Sequence, residues 1–360
     1  MEVAGRFVGI DLGKRTYEMC IVDRKGKISR TGGKTDFAGI DRLCEKLNGD
    51  DAVAIEACNL AFRIERAIRK SVGCKVCIMN AGKLAVIYMS TRKTDKEDSL
   101  KLAKLLKTHD EDELPIVAPP SDEEWERRKL LSEYRSLKCQ RTKEINKLHA
   151  IFEHNGYTQF VRKDMCSEKN RANILPLLKE YEKEEAERLV ERLNLLEKQI
   201  ERLLQKINAE VENDGKIQKV MTVPGIGPIT ALAYVGDVNR FDNAHQVSNF
   251  IGFVPKVDNS CTICRSGHTT KKGNPLLRSL LVQAAWSTVK SKNGGALRDK
   301  YKYMAESRCI GKGKSIVTIA RKLGELLYLI LKIDQEYKPQ KFITPELKIS
   351  KLAEDALECS

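Results

Sequence analysis

Six aliphatic residues, Leu189, Leu193, Leu196, Ile200, Leu203 and Ile207, recur at steps of 4, 3, 4, 3 and 4 and are flanked by Glu, Lys and Arg. That spacing is an a/d heptad seam, which commits the stretch to a helix pressing one apolar stripe against another helix. An earlier and less regular pattern, Leu130, Tyr134, Leu137, Arg141, Ile145, Leu148 and Phe152, supplies a second long helix. The two either close on each other within one chain or pair between chains as a coiled coil. A Pro-bounded linker, Leu114 to Ser121, precedes them. The expected divisions are therefore 1–115, a coiled-coil helical segment at 121–212, a third segment at 213–340 and a tail at 341–360.

Before the helices, strand-like and helix-like patterns alternate. Phe7 to Asp11 reads as a short strand, Thr16 to Val22 as a second, and Asp23-Arg24-Lys25-Gly26-Lys27 as a turn into a third. Helical patterns at Phe37–Leu47, Leu60–Ser71 and Lys96–Lys107 interleave with strand patterns at Ala52–Ala57 and Lys75–Met79. Hairpin strands followed by β-α-β-α predict an α/β domain. The third segment is expected to be mainly helical. It opens with Met221-Thr222-Val223-Pro224-Gly225-Ile226-Gly227-Pro228, read as a helix-hairpin-helix element. Its Gly225 and Gly227 are candidates to let backbone N–H groups approach a phosphate; the plain alternative is a structural helical turn.

Charge is unevenly placed. Residues 213–340 hold 20 Lys/Arg against 9 Asp/Glu, so +11 of the chain's net +14 lies in about a third of its length. Such a segment attracts a phosphate backbone through counterion release, whereas a merely well-solvated surface needs no such bias. The eleven cysteines are an odd number and scattered, which predicts reduced thiols in a cytosol rather than a disulfide framework. Apolar runs are far short of the roughly 20 residues of a membrane span, and no secretory leader is expected. Cys74/Cys77 and Cys261/Cys264 have zinc-like spacing, but the first pair lies along a strand, where an odd separation points side chains to opposite faces.

Four acids carry the chemistry. Asp11 and Glu56 close strands, and Asp95 and Asp98 stand three apart at the start of a helix, on one face. Strand-end acids with a helix-borne pair suit a two-metal phosphoryl-transfer site, because hard carboxylate oxygens hold Mg²⁺, with Mn²⁺ able to substitute. Helix-dipole compensation alone would also favour acids at positions 95 and 98. Glu56, inside the apolar run AVAIEA, is harder to explain structurally.

These residues resemble a known family. Asp11 in VGIDLGK, Glu56 in AIEA and the aspartates of RKTDKEDSLKLAKLL resemble the RuvC-like, RNase-H-fold domain of DEDD insertion-sequence transposases, the family numbered one hundred and ten, with Piv-type DNA invertases among its relatives. TVPGIGPITALAYVGDVNRF, NFIGFVP, SGHTTKKGNPLLRSLLVQAAW and KSIVTIARKLGELLYLILK resemble its C-terminal transposase domain, in order, so the likeness covers all but the last 20 or so residues. The resemblance implies a serine nucleophile between Gly252-Phe253-Val254-Pro255 and Lys271-Lys272-Gly273-Asn274, which places it at Ser260, with Ser266 close by. The usual Ser-Ser-Gly-Gly is altered here at Asn259, Cys261 and Thr262, and His268 stands where arginine is common. Arg265, Lys271, Lys272 and Arg278 are candidates to hold phosphate.

The resemblance further implies strand exchange between donor and target double-stranded DNA through a phosphoserine linkage, and guidance by a structured RNA. The heptad seam, with acids and serine far apart in the chain, predicts a homodimer through the coiled coil that assembles to a tetramer on DNA with sites shared between chains, and the scattered cysteines predict action in the cytoplasm, near the nucleoid. Two other classes stay in view: a RuvC-like structure-specific endonuclease, and a non-catalytic nucleic-acid-binding protein. A sugar-kinase-like reading of FVGIDLGKRTYEMCIVD fails for want of a second Asp-Gly-Gly turn.

Overall fold

The computed structural model describes residues 5–87, 94–235, 241–260 and 263–339. They fall into two compact units, Met1–Ser121 and Asp122–Ser360.

The first unit is a mixed five-stranded sheet. Its strands are β1 (Arg6–Leu12), β2 (Thr16–Asp23), β3 (Ile28–Lys34), β4 (Ala52–Glu56) and β5 (Lys75–Met79), in the order β3-β2-β1-β4-β5. β1, β2 and β3 are joined antiparallel, while β1, β4 and β5 run parallel. Its helices are α1 (Phe37–Cys44), α2 (Ala61–Ser71), α3 (Ala81–Ile87) and α4 (Asp95–Thr108). Side chains alternate across each strand, so the sheet has two distinct faces. On one, Val8, Ile10, Val53 and Ile55 pack against Ile40 and Leu43 of α1 and Ile64 and Ile68 of α2. The other face belongs to α4. There Cys20, Gly9 and Ala54 stand side by side across β2, β1 and β4, a shallow trough of small residues.

The trough fixes where α4 lies. A Cβ on Gly9 would fall 2.0 Å from the Ser99 carbonyl oxygen and 2.6 Å from the Ala103 nitrogen, so backbone meets backbone at this crossing. Ser99 and Ala103 are themselves small and buried. Leu102 and Leu105 close over Ala54 on one side, and Leu100 and Ala103 over Cys20 and Val22 on the other. Thr94 caps the helix, its Oγ1 accepting from the Glu97 N–H at 3.3 Å. The mixed sheet with helices on both faces fits an RNase H-like domain.

The second unit starts with α5 (Asp122–His154), α6 (Glu168–Ile174) and α7 (Glu180–Glu212). α5 and α7 are 33 residues each, about 50 Å long at 1.5 Å per residue. They lie antiparallel, since Arg127 pairs with Glu210, Arg141 with Glu197, and Glu144 with Arg192. All six seam residues of α7 are buried. α7 thus lies along α5 of its own chain, one of the two arrangements the spacing left open. The two arms are equal in length and joined through residues 155–179, which include α6, so α7 finds its partner at high effective concentration in its own chain. Near the far end Arg171, fully buried, is gripped by Glu197 Oε2 at 2.7 Å and Asn194 Oδ1 at 2.9 Å.

The roots of the pair sink into a larger core. Leu131 of α5 and Ile207 and Val211 of α7 share one cluster with the elements that follow. Those are α8 (Gly215–Met221), α9 (Pro228–Tyr234), α10 (Ala244–Ile251), the strands β6 (Pro255–Ser260) and β7 (Ile263–Thr269), α11 (Pro275–Lys290), α12 (Gly295–Lys302) and α13 (Lys312–Ile333). Leu277, Leu281 and Ala285 of α11 meet Ile316, Ile319, Leu323 and Leu327 of α13 at its centre. Among the described residues no helix is long and apolar enough to cross a membrane.

Gly9→Ala tests the crossing of α4 over β1. The added methyl cannot be accommodated without displacing backbone, so urea unfolding should show a loss of about 1–3 kcal/mol. An unchanged midpoint would mean that α4 does not sit this close.

Candidate active site

Asp11 and Glu56 are neighbours by register. Ile10 pairs with Ile55 across the parallel β1–β4 ladder, and the two acids stand one step further along, at the ends of adjacent strands. Alternation puts Asp11 on the face of Gly9 and Glu56 on the face of Ala54, which is the face that α4 covers. Asp95 and Asp98 lie in the first turn of α4. The close crossing at Gly9 therefore brings the helix-borne pair over the strand-end pair.

Their fields overlap. The Asp11 carboxyl is half-buried and pushed up to about 6, by burial first and then by the negative charges of Asp95, Asp98 and Glu56. All four predicted acids thus belong to one electrostatic cluster. The nearest compensating charge is Lys101, whose ammonium donates to Asp98 Oδ1 at 2.8 Å. Among the described residues no three acidic, His or Cys side chains converge closely enough to hold an ion as they stand. The donor set itself fits a hard divalent cation: four carboxylates, one of them half-buried and raised by burial and by the charge of the other three. Sequence reasoning missed Lys101 and Gly9. The second had a signal, since a glycine inside an apolar strand marks close backbone approach.

In the second unit, Ser260 ends β6 opposite Ile263, and Arg265 of β7 lies opposite Asp258. Within a segment expected to be mainly helical, these strands form a β-hairpin whose Ser266 pairs with Val257. The side chains of Ser260, Arg265 and Ser266 lie outside the described residues, as do Cys261 and Thr262 altogether. Lys271 and Lys272 are exposed in the turn that follows. Gly273 there has φ 142°, and a Cβ on it would lie 2.2 Å from the Phe250 carbonyl oxygen. Asn274 caps α11 by accepting from the N–H groups of Leu276 and Leu277 at 3.0 and 3.2 Å.

Two expected phosphate contacts have structural duties. Arg278 donates from Nη1 to the Ile251 carbonyl at 2.9 Å, tying α11 to the end of α10. Gly225 has φ 93°, and a Cβ there would lie 2.6 Å from the Ala284 carbonyl, so its conformation serves close packing on α11. Gly227, the residue before α9, has open space where a Cβ would stand. Helices α8 and α9 flank this turn.

The sheet, its acid cluster and the helical second unit define a class. A family model described as "Transposase IS116/IS110/IS902 family" matches residues 217–302, and one for DEDD-type transposases of the same group matches residues 8–154. The chain belongs to this family of DEDD transposases of insertion sequences. It is 24% identical over 346 residues to the transposase for insertion sequence element IS1111A of Coxiella burnetii, covering 92% of this chain and 91% of that one. Over 287 residues it is 22% identical to the transposase for insertion sequence element IS1328 of Yersinia enterocolitica, covering 77% of this chain and 82% of that one. A probable family 20 transposase of Pseudomonas aeruginosa is 36% identical over 105 residues, which are 28% of this chain and 31% of the relative.

The raised Asp11 carboxyl has a measurable sign. Between pH about 4 and 6 the folded protein keeps a proton that the unfolded chain has lost, so stability falls as pH rises through that window. Asp11→Asn should flatten this slope and stabilise the protein at pH 7 in chelator by about 1–2 kcal/mol, the figure being reduced for solvent screening. Melting curves against pH for both proteins check it. Parallel curves would remove the carboxylate repulsion from the account.

Proposed function

We propose that this transposase cuts and exchanges DNA strands through Ser260, with Asp11, Glu56, Asp95 and Asp98 as the ligands of a divalent cation. The observation behind this reading is the half-buried carboxyl of Asp11, raised by burial first and then by the charges of Asp95, Asp98 and Glu56, which places all four acids in one another's field. Mg²⁺, or Mn²⁺ in its place, would neutralise charge developing on the phosphoryl oxygens when bound. The chain's own residues supply the rest. Alternation along β1 and β4 aims Asp11 and Glu56 to one face, and Thr94 and Gly9 hold the start of α4 over them. Lys101 pairs with Asp98 and would give up that contact as a ligand set forms.

Ser260 would attack the scissile phosphorus. The Ser260 Oγ–P bond forms as a P–O bond to a sugar breaks, and the proton lost by serine is balanced by one gained by the leaving sugar oxygen. A sugar hydroxyl of the other strand reverses the step, releasing serine. One phosphodiester is exchanged for another, so no ATP is consumed. Lys271 and Lys272, exposed beside the hairpin, are placed to hold flanking phosphates.

Both donor and target DNA are substrates in this reading. A structured RNA from the element's own non-coding end pairs them, and the +11 charge of residues 213–340 supports either nucleic acid as partner. Exchange joins two duplexes, so at least two protomers take part on DNA.

The test is Ser260→Ala with a supercoiled plasmid carrying the element's end. The parent should nick it in Mg²⁺ and leave protein–DNA adducts that survive denaturant, and Ser260→Ala should abolish both at unchanged DNA affinity. Cleavage without adducts by Ser260→Ala would instead mark an endonuclease that uses water. Adducts that vanish only with Ser266→Ala would move the nucleophile.

A further inference from the structure

A cavity of about 630 Å³ opens in the second unit between the base of the β6–β7 hairpin and the first turns of α13. Phe253, Pro255 and Val317 give it an apolar floor, and Lys314, Thr318 and Arg321 line one wall. Positions 314, 318 and 321 follow one another at steps of four and three, so all three side chains leave α13 on the same face. His268 and Thr269 of β7 stand opposite. Lys314 is exposed, and among the described residues no carboxylate pairs with it.

Behind that wall positive charge is in excess. Glu325 accepts from Lys322 at 2.6 Å and lies 3.8 Å from Arg321, so one carboxylate serves two cations. It also accepts from Ser248 Oγ at 3.0 Å. Lys300 of α12 adds a third cation to the same cluster. Its ammonium is held below the usual lysine range by burial first, then by Lys322 and Arg321. Of these three cations Arg321 also lines the cavity, where it stands with Lys314 beside the apolar floor.

We propose that this cavity is a phosphodiester-binding groove in which Lys314 and Arg321 grip the backbone of the nucleic-acid strand that passes the Ser260 hairpin. The guanidinium fork and the ammonium match phosphate oxygens, Thr318 between them donates its hydroxyl back to the Lys314 carbonyl at 3.1 Å, and the apolar floor accepts the sugar face. The proposal rests on the serine-hairpin reading above and adds to it a positioning element. Ser260 is five residues from Pro255 along β6, about 16 Å at 3.3 Å per residue. That is on the order of five nucleotides of duplex rise. The groove therefore holds the strand beside the bond being cut and fixes its register, while the acids and the serine act on the bond itself.

The experiment measures equilibrium binding against salt for the full chain and for Lys314→Gln, Arg321→Gln and Gly313→Asp. Gly313 lines the same groove with open space where a Cβ would stand, so the last variant inserts a negative charge without breaking a contact. Probes are a DNA duplex of the element's end, its single strand, and an RNA of the same sequence. Each lysine or arginine substitution should lower the slope of log affinity against log salt by about 0.9, uniformly across sequences, and Gly313→Asp should weaken binding about ten-fold or more. A change confined to DNA assigns the strand to donor or target, and one confined to RNA assigns it to the guide. Either supports the groove. Variants that melt like the parent and keep its slope on all three probes overturn the groove alone. A parent that binds none of the probes overturns the groove together with the function it rests on.

Discussion

Backbone contact between α4 and β1 at Gly9 is the constraint on which the first unit depends. Cys20, Gly9 and Ala54 leave no side chain tall enough to hold the helix away, and Ser99 and Ala103 answer them with equally small groups. Interiors pack at crystal-like density, so this trough sets the helix position to within a fraction of an ångström. The same contact decides the chemistry, because Asp95 and Asp98 ride on the first turn of that helix. Four carboxylates then share one end of the sheet, and Asp11 bears the strain as a carboxyl raised to about 6. A protein built only for stability would not gather them. Repulsion stored at a site that a cation would relieve is the usual sign of a site kept for its ligand.

The second unit follows a different logic. Two 33-residue helices satisfy each other along the seam, and charge pairs from Arg127–Glu210 to Glu144–Arg192 fix their antiparallel register. Arg171, buried against Glu197 and Asn194, locks the connection at the far end, where removing one partner of a buried charge would cost about 3–5 kcal/mol. At the near end both helices merge with the core of α11 and α13. The hairpin, the Lys271–Asn274 turn and the cationic face of α13 therefore hang from a rigid frame rather than from loops.

Most strands of the first unit were legible because their periodicity is clean. Lys75–Met79 falls where the pattern put it, β1 is one residue longer at each end, and β2 and β4 differ by one residue at the C-terminal end alone. The acids were legible too, since strand ends and a helix start are positions where isolated carboxylates stand out. The hairpin at 255–269 was not. Its sequence, PKVDNSCTICRSGHT, has few apolar residues and no alternation to separate a strand from a loop. Tertiary duties were hidden for a related reason. Nothing local shows that Gly225 must admit α11, or that Arg278 will bond the Ile251 carbonyl, because each partner is distant in sequence. The heptad seam announced a helical partner without saying whose, and only the fold shows that α5 of the same chain provides it.

Cation-directed backbone cleavage tests the central claim most directly. Fe²⁺ replacing Mg²⁺, supplied with hydrogen peroxide and with ascorbate to re-reduce it, generates hydroxyl radicals at the ion, and these cut the chain at whatever segments surround it. One site formed by the four acids predicts cuts near Asp11, near Glu56 and near Asp95–Asp98, all suppressed together by excess Mg²⁺ and all lost in Asp11→Ala. Cuts at only one of these segments, or a pattern elsewhere that Mg²⁺ does not suppress, would contradict the claim that α4 and the sheet build a single cation site.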